Sequence, residues 1–248
     1  MGATETMKTK GTKEWADTNV NCVDGCAHDC RYCYAKKQAI RFKRTTEQDW
    51  HIMAVRPDDV AKGYRKRDGR IMFPTSHDLI PADPSFASCM VVLEKLLRAG
   101  NEVLVTTKPH LDAVRYICNN LERYRSQIQF RFTITSMDDA VLKYWEPNAP
   151  SFQERFRSIE YAWHSEFKTS VSIEPILDSS LQDLEALYDT VEIYTTESIW
   201  LGTMNHVKGS VMRQNGVKLD PASIYRHFVN KDGLVRFKDS IRNAVGIA

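Results

Sequence analysis

Residues 26–34 read CAHDCRYCY, three cysteines separated by three and then two residues, with a tyrosine on either side of the last. Clustered thiols either cross-link a secreted scaffold or hold metal, and the compartment decides between the two. The opening stretch MGATETMKTKGTKEW contains no apolar run of signal-peptide type, and nowhere do about 18 apolar residues follow one another. A cytoplasmic protein without a membrane segment is therefore expected. In a reducing compartment a 248-residue chain, able to bury a sizeable core, has no need of a disulfide framework, so the thiol cluster points to metal. A net charge of +2, with 42% hydrophobic and 27% charged residues, describes an ordinary globular chain. Overall charge gives no argument for nucleic acid, although a local basic patch stays open. Length and even composition fit one domain over residues 1–248, with a core at about 15–206 and a helical extension at about 207–248.

Around the cysteine loop, short runs rich in β-branched and aromatic residues alternate with helical patterns, the mark of a parallel sheet with helical crossovers. Strands are expected at Thr18 to Val23, Arg70 to Pro74, Glu102 to Thr107, Gln129 to Thr135, Lys168 to Pro175 and Ser198 to Asn205. Phe86, Cys89, Met90, Leu93, Leu96 and Leu97 share one face of a helix from Pro84 to Ala99, capped by Asp83 and stopped by Gly100. Further helices are expected from a segment opening at Pro57 and stopped by Gly69, and at Leu111 to about Tyr124, Asp138 to Tyr144, Ser151 to Phe167 and Leu181 to Tyr188, with two more closing the chain. Six strands with their crossovers, two units short of a full eightfold barrel, predict an α/β fold of partial (β/α)6 TIM type. Its working mouth lies at the strand C-termini.

An iron–sulfur cubane is held by thiolates, one per iron, so Cys26, Cys30 and Cys33 can bind three irons and leave the fourth open. The stretch closely resembles the CxxxCxxC signature of the radical S-adenosylmethionine (SAM) enzymes. That resemblance implies a [4Fe-4S] cluster on these cysteines, with SAM on the open iron through its methionine amino and carboxylate groups. It also implies a flavodoxin- or ferredoxin-type electron donor for cleavage of SAM to methionine and a 5′-deoxyadenosyl radical. Tyr32 takes the position that packs by the adenine in that family, and Tyr34 is placed to line the substrate side. Two other uses of the thiols are weighed. With His28 they would make a tetrahedral zinc site, and Cys22 would close the fourth iron of a plain electron-transfer cluster.

Within the superfamily the chain is similar to the spore photoproduct lyase and DNA repair photolyase-like branch over roughly residues 15 to 206. The shared elements are GCAHDCRYCYA, FPTSHD, TTKP, TITS, SIEP and WLGTMN, each at or just past an expected strand end. Glu14, Trp15, Ala16 and Asp17 also resemble the EW[ST]D opening of a phage-associated radical SAM-like group. By resemblance Lys108 contacts the SAM carboxylate, as an ammonium suits. Ser76 stands where related enzymes carry a GGE-type motif for the amino group; the glycines are missing here, and Asp78 is the substitute acceptor. Ser136 either contacts SAM or caps the following helix. Glu174 and Asn205, at strand ends, are candidates for ribose or substrate.

In the lyase a cysteine near the end of the second strand returns hydrogen to the product radical, whereas this chain has FPTS there, so thymine-dimer repair is not expected. Cys89 and Cys118 read as small core residues. Arg65, Lys66, Arg67 and Arg70 with Lys36, Lys37, Arg41, Lys43 and Arg44 form either a basic surface for nucleic acid, with Phe42 and Trp50 interleaved, or solvated helix faces. His77, His110 and His206 follow strands and either acidify or orient a substrate or, as a lone histidine more often does, hydrogen-bond a loop. Three classes of function remain: a radical SAM lyase or modifying enzyme acting on an unidentified substrate such as a nucleobase or nucleotide, an activating enzyme that installs a glycyl radical on a partner protein, and a non-enzymatic zinc or iron–sulfur module.

Overall fold

The computed structural model describes residues 11–205, 207–231 and 233–247. A 3₁₀ turn over Gly11–Glu14 leads to β1 (Thr18–Asn19), β2 (Val23–Asp24), α1 (Tyr34–Arg41), β3 (Ala54–Val55) and α2 (Pro57–Ala61). Strand and helix then alternate: β4 (Arg70–Phe73), α3 (Ser85–Arg98), β5 (Glu102–Thr107), α4 (Leu111–Asn120), β6 (Ile128–Thr133), α5 (Asp139–Trp145), α6 (Phe152–His164), β7 (Lys168–Ile173), α7 (Leu181–Glu192) and β8 (Ser198–Leu201). After them come α8 (Gly209–Gln214), α9 (Pro221–Phe228), β9 (Val235–Phe237) and α10 (Asp239–Arg242).

Seven strands form one sheet in the order β1-β4-β5-β6-β7-β8-β9, with every neighbouring pair parallel. β1 and β9 stay at opposite edges, so the sheet is an open, curled half-barrel, the α/β partial barrel that the alternation of elements predicts. Its strands are covered on both faces, yet they alternate in chemistry. Val103, Val105, Phe130, Phe132, Val171 and Ile173 pack into the main core with Leu93, Leu96, Val114, Ile117 and Leu184 of the helices. The intervening positions Gln129, Arg131, Thr133, Ser170 and Ser172 are buried and polar. A fully buried parallel strand ordinarily reads as continuous apolar sequence. Here Thr133 and Ser172 wall a cavity, while Gln129 and Arg131 donate to the Ser170 hydroxyl.

Three expectations are corrected. The first strand breaks at residues 20–22: Thr18–Asn19 pairs with β4, and Val23–Asp24 turns away to pair antiparallel with β3. A seventh strand, β9, lies within the stretch read as a helical extension. Its three residues are too short to show a period, and parallel pairing with β8, Ile199 opposite Val235 and Leu201 opposite Phe237, sets its place. Finally α2 stops at Ala61, and Gly69 instead takes φ +73° in the turn into β4, where the Arg70 N–H donates to Asp17 Oδ2 at 2.8 Å. Asp83 does serve the start of α3, accepting from the Ser85 N–H at 2.8 Å, and Gly100 ends that helix at φ +81°.

Candidate active site

The loop from β2 to α1 carries the three cysteines, and its entry is fixed by Gly25. This residue holds φ +89°, and a Cβ there would lie 2.0 Å from the Ile52 carbonyl oxygen. Only glycine allows the backbone so close. The Cys26 N–H then donates to the Trp50 carbonyl at 2.8 Å. Cys33 starts α1, its Sγ accepting from the Lys36 N–H at 3.4 Å. Lys36 ties the loop to α1 through Asp29 at 2.9 Å and also reaches Glu47 at 2.6 Å.

All three thiols face a cavity of about 560 Å³ at the C-terminal ends of the strands. Tyr32, Tyr34, Ser76, Asp78, Lys108, Glu174 and Asn205 line it with them, as do Met72, Thr106, Thr133 and Ser172 from the inner face of the sheet. Ser136 is elsewhere: it is fully buried, donates to Asp178 Oδ1 at 2.6 Å and accepts from the Asp138 N–H at 3.0 Å, while Asp138 itself caps α5. His77 lines the cavity, His110 sits beside it behind His28, and His206 lies outside the described residues.

Burial holds the three cysteines as thiols. It pushes Cys26 up to about 12, reinforced by Asp78 and Cys33, raises Cys30 well above the ordinary thiol value, and raises Cys33. Only a strong local positive charge would make thiolates of them. Their positions also separate two kinds of metal. Among the described residues, the three-residue group of metal-binding side chains with all ligand atoms within 4.8 Å of one another is Cys22, His77 and Cys89, and the loop cysteines are not part of it. A single tetrahedral ion with Zn–S bonds of about 2.3 Å needs its sulfurs about 3.8 Å apart. A cubane, which gives each thiolate its own iron, asks for a wider triangle.

Charged partners that the sequence reading did not pair surround the thiols. Asp78 accepts from the Leu79 N–H at 2.9 Å, the Lys108 N–H at 3.0 Å and the Thr107 hydroxyl, and lies 3.2 Å from His28 Nδ1. Burial opposes its charge, but His28 and Lys108 together hold its carboxyl below the usual range. The other His28 nitrogen is 2.9 Å from His110 Nε2, and His110 Nδ1 is 3.5 Å from Glu154. His28 thus faces Asp78 with Nδ1 and His110 with Nε2, an arrangement that counts against a Cys₃His zinc site. Cys22 is likewise turned aside, with its Sγ 3.8 Å from that of Cys89.

The Lys108 ammonium lies 5.5 Å from the Tyr32 ring centroid. Burial opposes its charge, but the neighbouring anionic groups, Glu146 and Asp78 among them, outweigh that and raise its pKa. The Tyr32 hydroxyl donates to Glu146, which is fully buried against Arg155 at 2.5 Å. Tyr34 donates to the Thr75 carbonyl at 2.7 Å, and Asn21 stitches the same loop by accepting from the Thr75 and Ser76 N–H groups at 2.7 and 3.0 Å. At the far end of the cavity burial lifts Glu174 to about 7, opposed by Lys238, whose ammonium is 3.8 Å away. Lys238 also pairs with the buried Glu14 and lies 4.3 Å from the Trp15 ring. Thus Glu14 and Trp15 join the N-terminal turn to β9, a role with no local signal in the sequence.

The basic groups do not merge into one surface. Arg65, Lys66, Arg67 and Arg70 lead into β4 at the strand N-terminal side, where the Arg67 N–H donates to Asn101 at 2.8 Å, whereas Lys36 to Arg44 lie by the cysteine loop. Among the described residues no helix is long and apolar enough to cross a membrane.

Comparison with known proteins bears on the family and the fold. The chain is 23% identical over 218 residues to an uncharacterized protein of Acidianus two-tailed virus, covering 83% of this chain and 69% of the relative. It is 20% identical over 228 residues to an uncharacterized protein of Methanocaldococcus jannaschii, covering 91% and 85%. Similar solved structures include SuiB of Streptococcus suis bound to S-adenosylmethionine, with TM-score 0.57 and 13% identity, covering 92% of this chain and 48% of SuiB. They also include spore photoproduct lyase complexed with dinucleoside spore photoproduct, with TM-score 0.56 and 15% identity, covering 94% and 67%. The chain therefore spans about half the length of SuiB, and at such identities these structures speak for the fold alone. The Radical SAM superfamily pattern matches residues 20–191, from the approach to the cysteine loop to the end of α7, and the chain belongs to the radical SAM superfamily.

Proposed function

We propose that this chain is a radical SAM enzyme in which Cys26, Cys30 and Cys33 hold a [4Fe-4S] cluster and the adjoining cavity binds SAM beside an unidentified substrate, a nucleobase or nucleotide being the candidate class. The observation that carries the reading is the cavity itself. Three thiols whose sulfurs do not all lie within 4.8 Å of one another share it with the Lys108 ammonium, two tyrosines and polar groups of the inner face of the sheet. When bound, the cluster supplies the electron that splits SAM into methionine and a 5′-deoxyadenosyl radical able to take hydrogen from a substrate carbon.

The chain's own part is binding, orientation and exclusion of water. The Lys108 ammonium attracts the SAM carboxylate, and Tyr32 offers its ring to the adenine while Glu146 fixes its hydroxyl. Asp78 has its oxygens occupied by groups of the chain. It therefore acts by holding the Lys108 backbone and His28 in place, leaving Ser76 to meet the amino group. Glu174 and Asn205 are the polar groups for ribose or substrate, and Tyr34 walls the substrate side. A flavodoxin- or ferredoxin-type protein serves as reductant.

The test is anaerobic reconstitution with iron and sulfide, then SAM and dithionite. Release of 5′-deoxyadenosine is expected. If none forms, or if iron stays near zero while zinc saturates the protein, the reading is wrong. Retention of a labelled oligonucleotide that falls steeply with added salt supports the nucleic-acid side of the proposal.

A further inference from the structure

Cys22, His77 and Cys89 come from three separate elements: the link between β1 and β2, the loop after β4, and α3. They meet in the core beneath the cavity. Cys22 and Cys89 are fully buried, His77 is 7% exposed, and their ligand atoms all lie within 4.8 Å of one another. We propose that these three residues form a second metal site, suited to a zinc ion, in the wall behind the candidate active site and independent of the CxxxCxxC loop.

Three observations support it. First, the two Sγ atoms are 3.8 Å apart, which matches the edge of a tetrahedron around an ion with Zn–S bonds of about 2.3 Å. Second, His77 Nδ1 lies 3.3 Å from the Asp78 carbonyl oxygen, while Nε2 is buried without a hydrogen-bond partner. A ring whose one nitrogen donates to a backbone carbonyl and whose other carries a free lone pair is the form in which histidine ligates metal. An orphaned buried nitrogen is otherwise costly, at about 1–3 kcal/mol. Third, the charges cancel. A Zn²⁺ ion displacing one proton from each thiol and taking neutral imidazole makes a complex with no net charge, as a core of Val20, Val23, Phe73 and Leu79 requires. Three protein ligands leave one tetrahedral position for water. A pair of ordinary core thiols would need no imidazole beside it.

The test uses the full chain carrying Cys26→Ala, Cys30→Ala and Cys33→Ala, so that the loop thiols take no metal, titrated with Co²⁺ as the probe. One equivalent of cobalt per chain is expected, with tetrahedral d–d bands and a thiolate-to-cobalt charge-transfer band, and adding Cys89→Ala should remove both. Elemental analysis after growth in zinc should show the same loss. The site is refuted if the folded triple variant binds no cobalt or zinc, or if Cys89→Ala leaves the spectrum unchanged. Should the triple variant not fold, the wild-type chain is compared with Cys89→Ser. A drop of one metal equivalent supports the site, and an unchanged content refutes it.

Discussion

Glu146 and Arg155 form an ion pair 2.5 Å apart with both side chains fully buried, and Glu146 also accepts from Tyr32 and, at 3.0 Å, from the Thr135 hydroxyl. Glu146→Gln keeps the shape and an acceptor for Tyr32 but leaves the Arg155 guanidinium in the core without its counter-charge. Among the described residues Arg155 then keeps the Pro150 and Thr133 carbonyls as hydrogen-bond partners, at 2.8 and 3.3 Å. Removing one partner of a buried pair costs about 3–5 kcal/mol. At about 2–4 °C per kcal/mol for a chain of this size, the melting temperature should fall by roughly 6–20 °C. Removing both charges, as Glu146→Gln with Arg155→Met, should recover at least half of that loss, because the penalty lies in the orphaned charge. Burial opposes ionisation of Glu146, but Arg155 and Lys108 hold its carboxyl below the usual range. Its stabilisation is then present above the unfolded-state carboxyl value and is lost only as pH falls through the depressed one. The gap between wild type and Glu146→Gln should accordingly persist from neutral pH into mild acid. Calorimetric scans of the three proteins across pH check this. A single-variant shift under about 2 °C, equivalent to less than about 1 kcal/mol, or a double variant worse than the two singles combined, would refute the reasoning.

Glu174 titrates with the opposite sign. Its folded value near 7 exceeds the ordinary 4.5, so it contributes stability that is present below the lower value and lost as pH rises through the upper one. Wild type should gain stability relative to Glu174→Gln between pH 8 and pH 5, and a pH-independent difference in melting temperature would count against the assignment. Cys30→Ala should abolish both cluster absorbance and SAM cleavage, whereas Cys118→Ala, in the buried face of α4, should retain both at about 1 kcal/mol in stability. The reverse pattern in visible absorbance and 5′-deoxyadenosine yield would overturn the ligand assignment. Gly25→Ala must push the loop away from the Ile52 carbonyl and sit in a left-handed conformation, so it should lower iron uptake at least severalfold while far-UV circular dichroism stays native. Normal iron uptake by that variant would show that the loop tolerates the shift.

What could be read in the chain was what depends on neighbours in sequence. Cys26, Cys30 and Cys33 lie within eight positions, so their meeting costs little loop entropy and their spacing is informative. The expected strand at Glu102–Thr107 matches the structure residue for residue, and the helix expected at Pro84 to Ala99 differs by one at each end, because period and punctuation are local. Residues such as Lys108 and Glu174 were placed at the cavity for the same reason: each follows directly on a strand whose end is the barrel mouth.

The remainder was decided by contacts between distant positions. His28 meets His110 across 82 residues, Tyr32 meets Glu146 across 114, and β9 is held in the sheet by β8 without any period of its own. Whether Ser136 faces a ligand or Asp178, and whether Cys22 faces the cluster loop or Cys89, was also open until the chain folded. A buried polar group is tolerated only where the fold brings it a partner. Residue type and spacing pointed to the chemistry proposed for the thiols, and only the tertiary structure could choose which charge stands beside which.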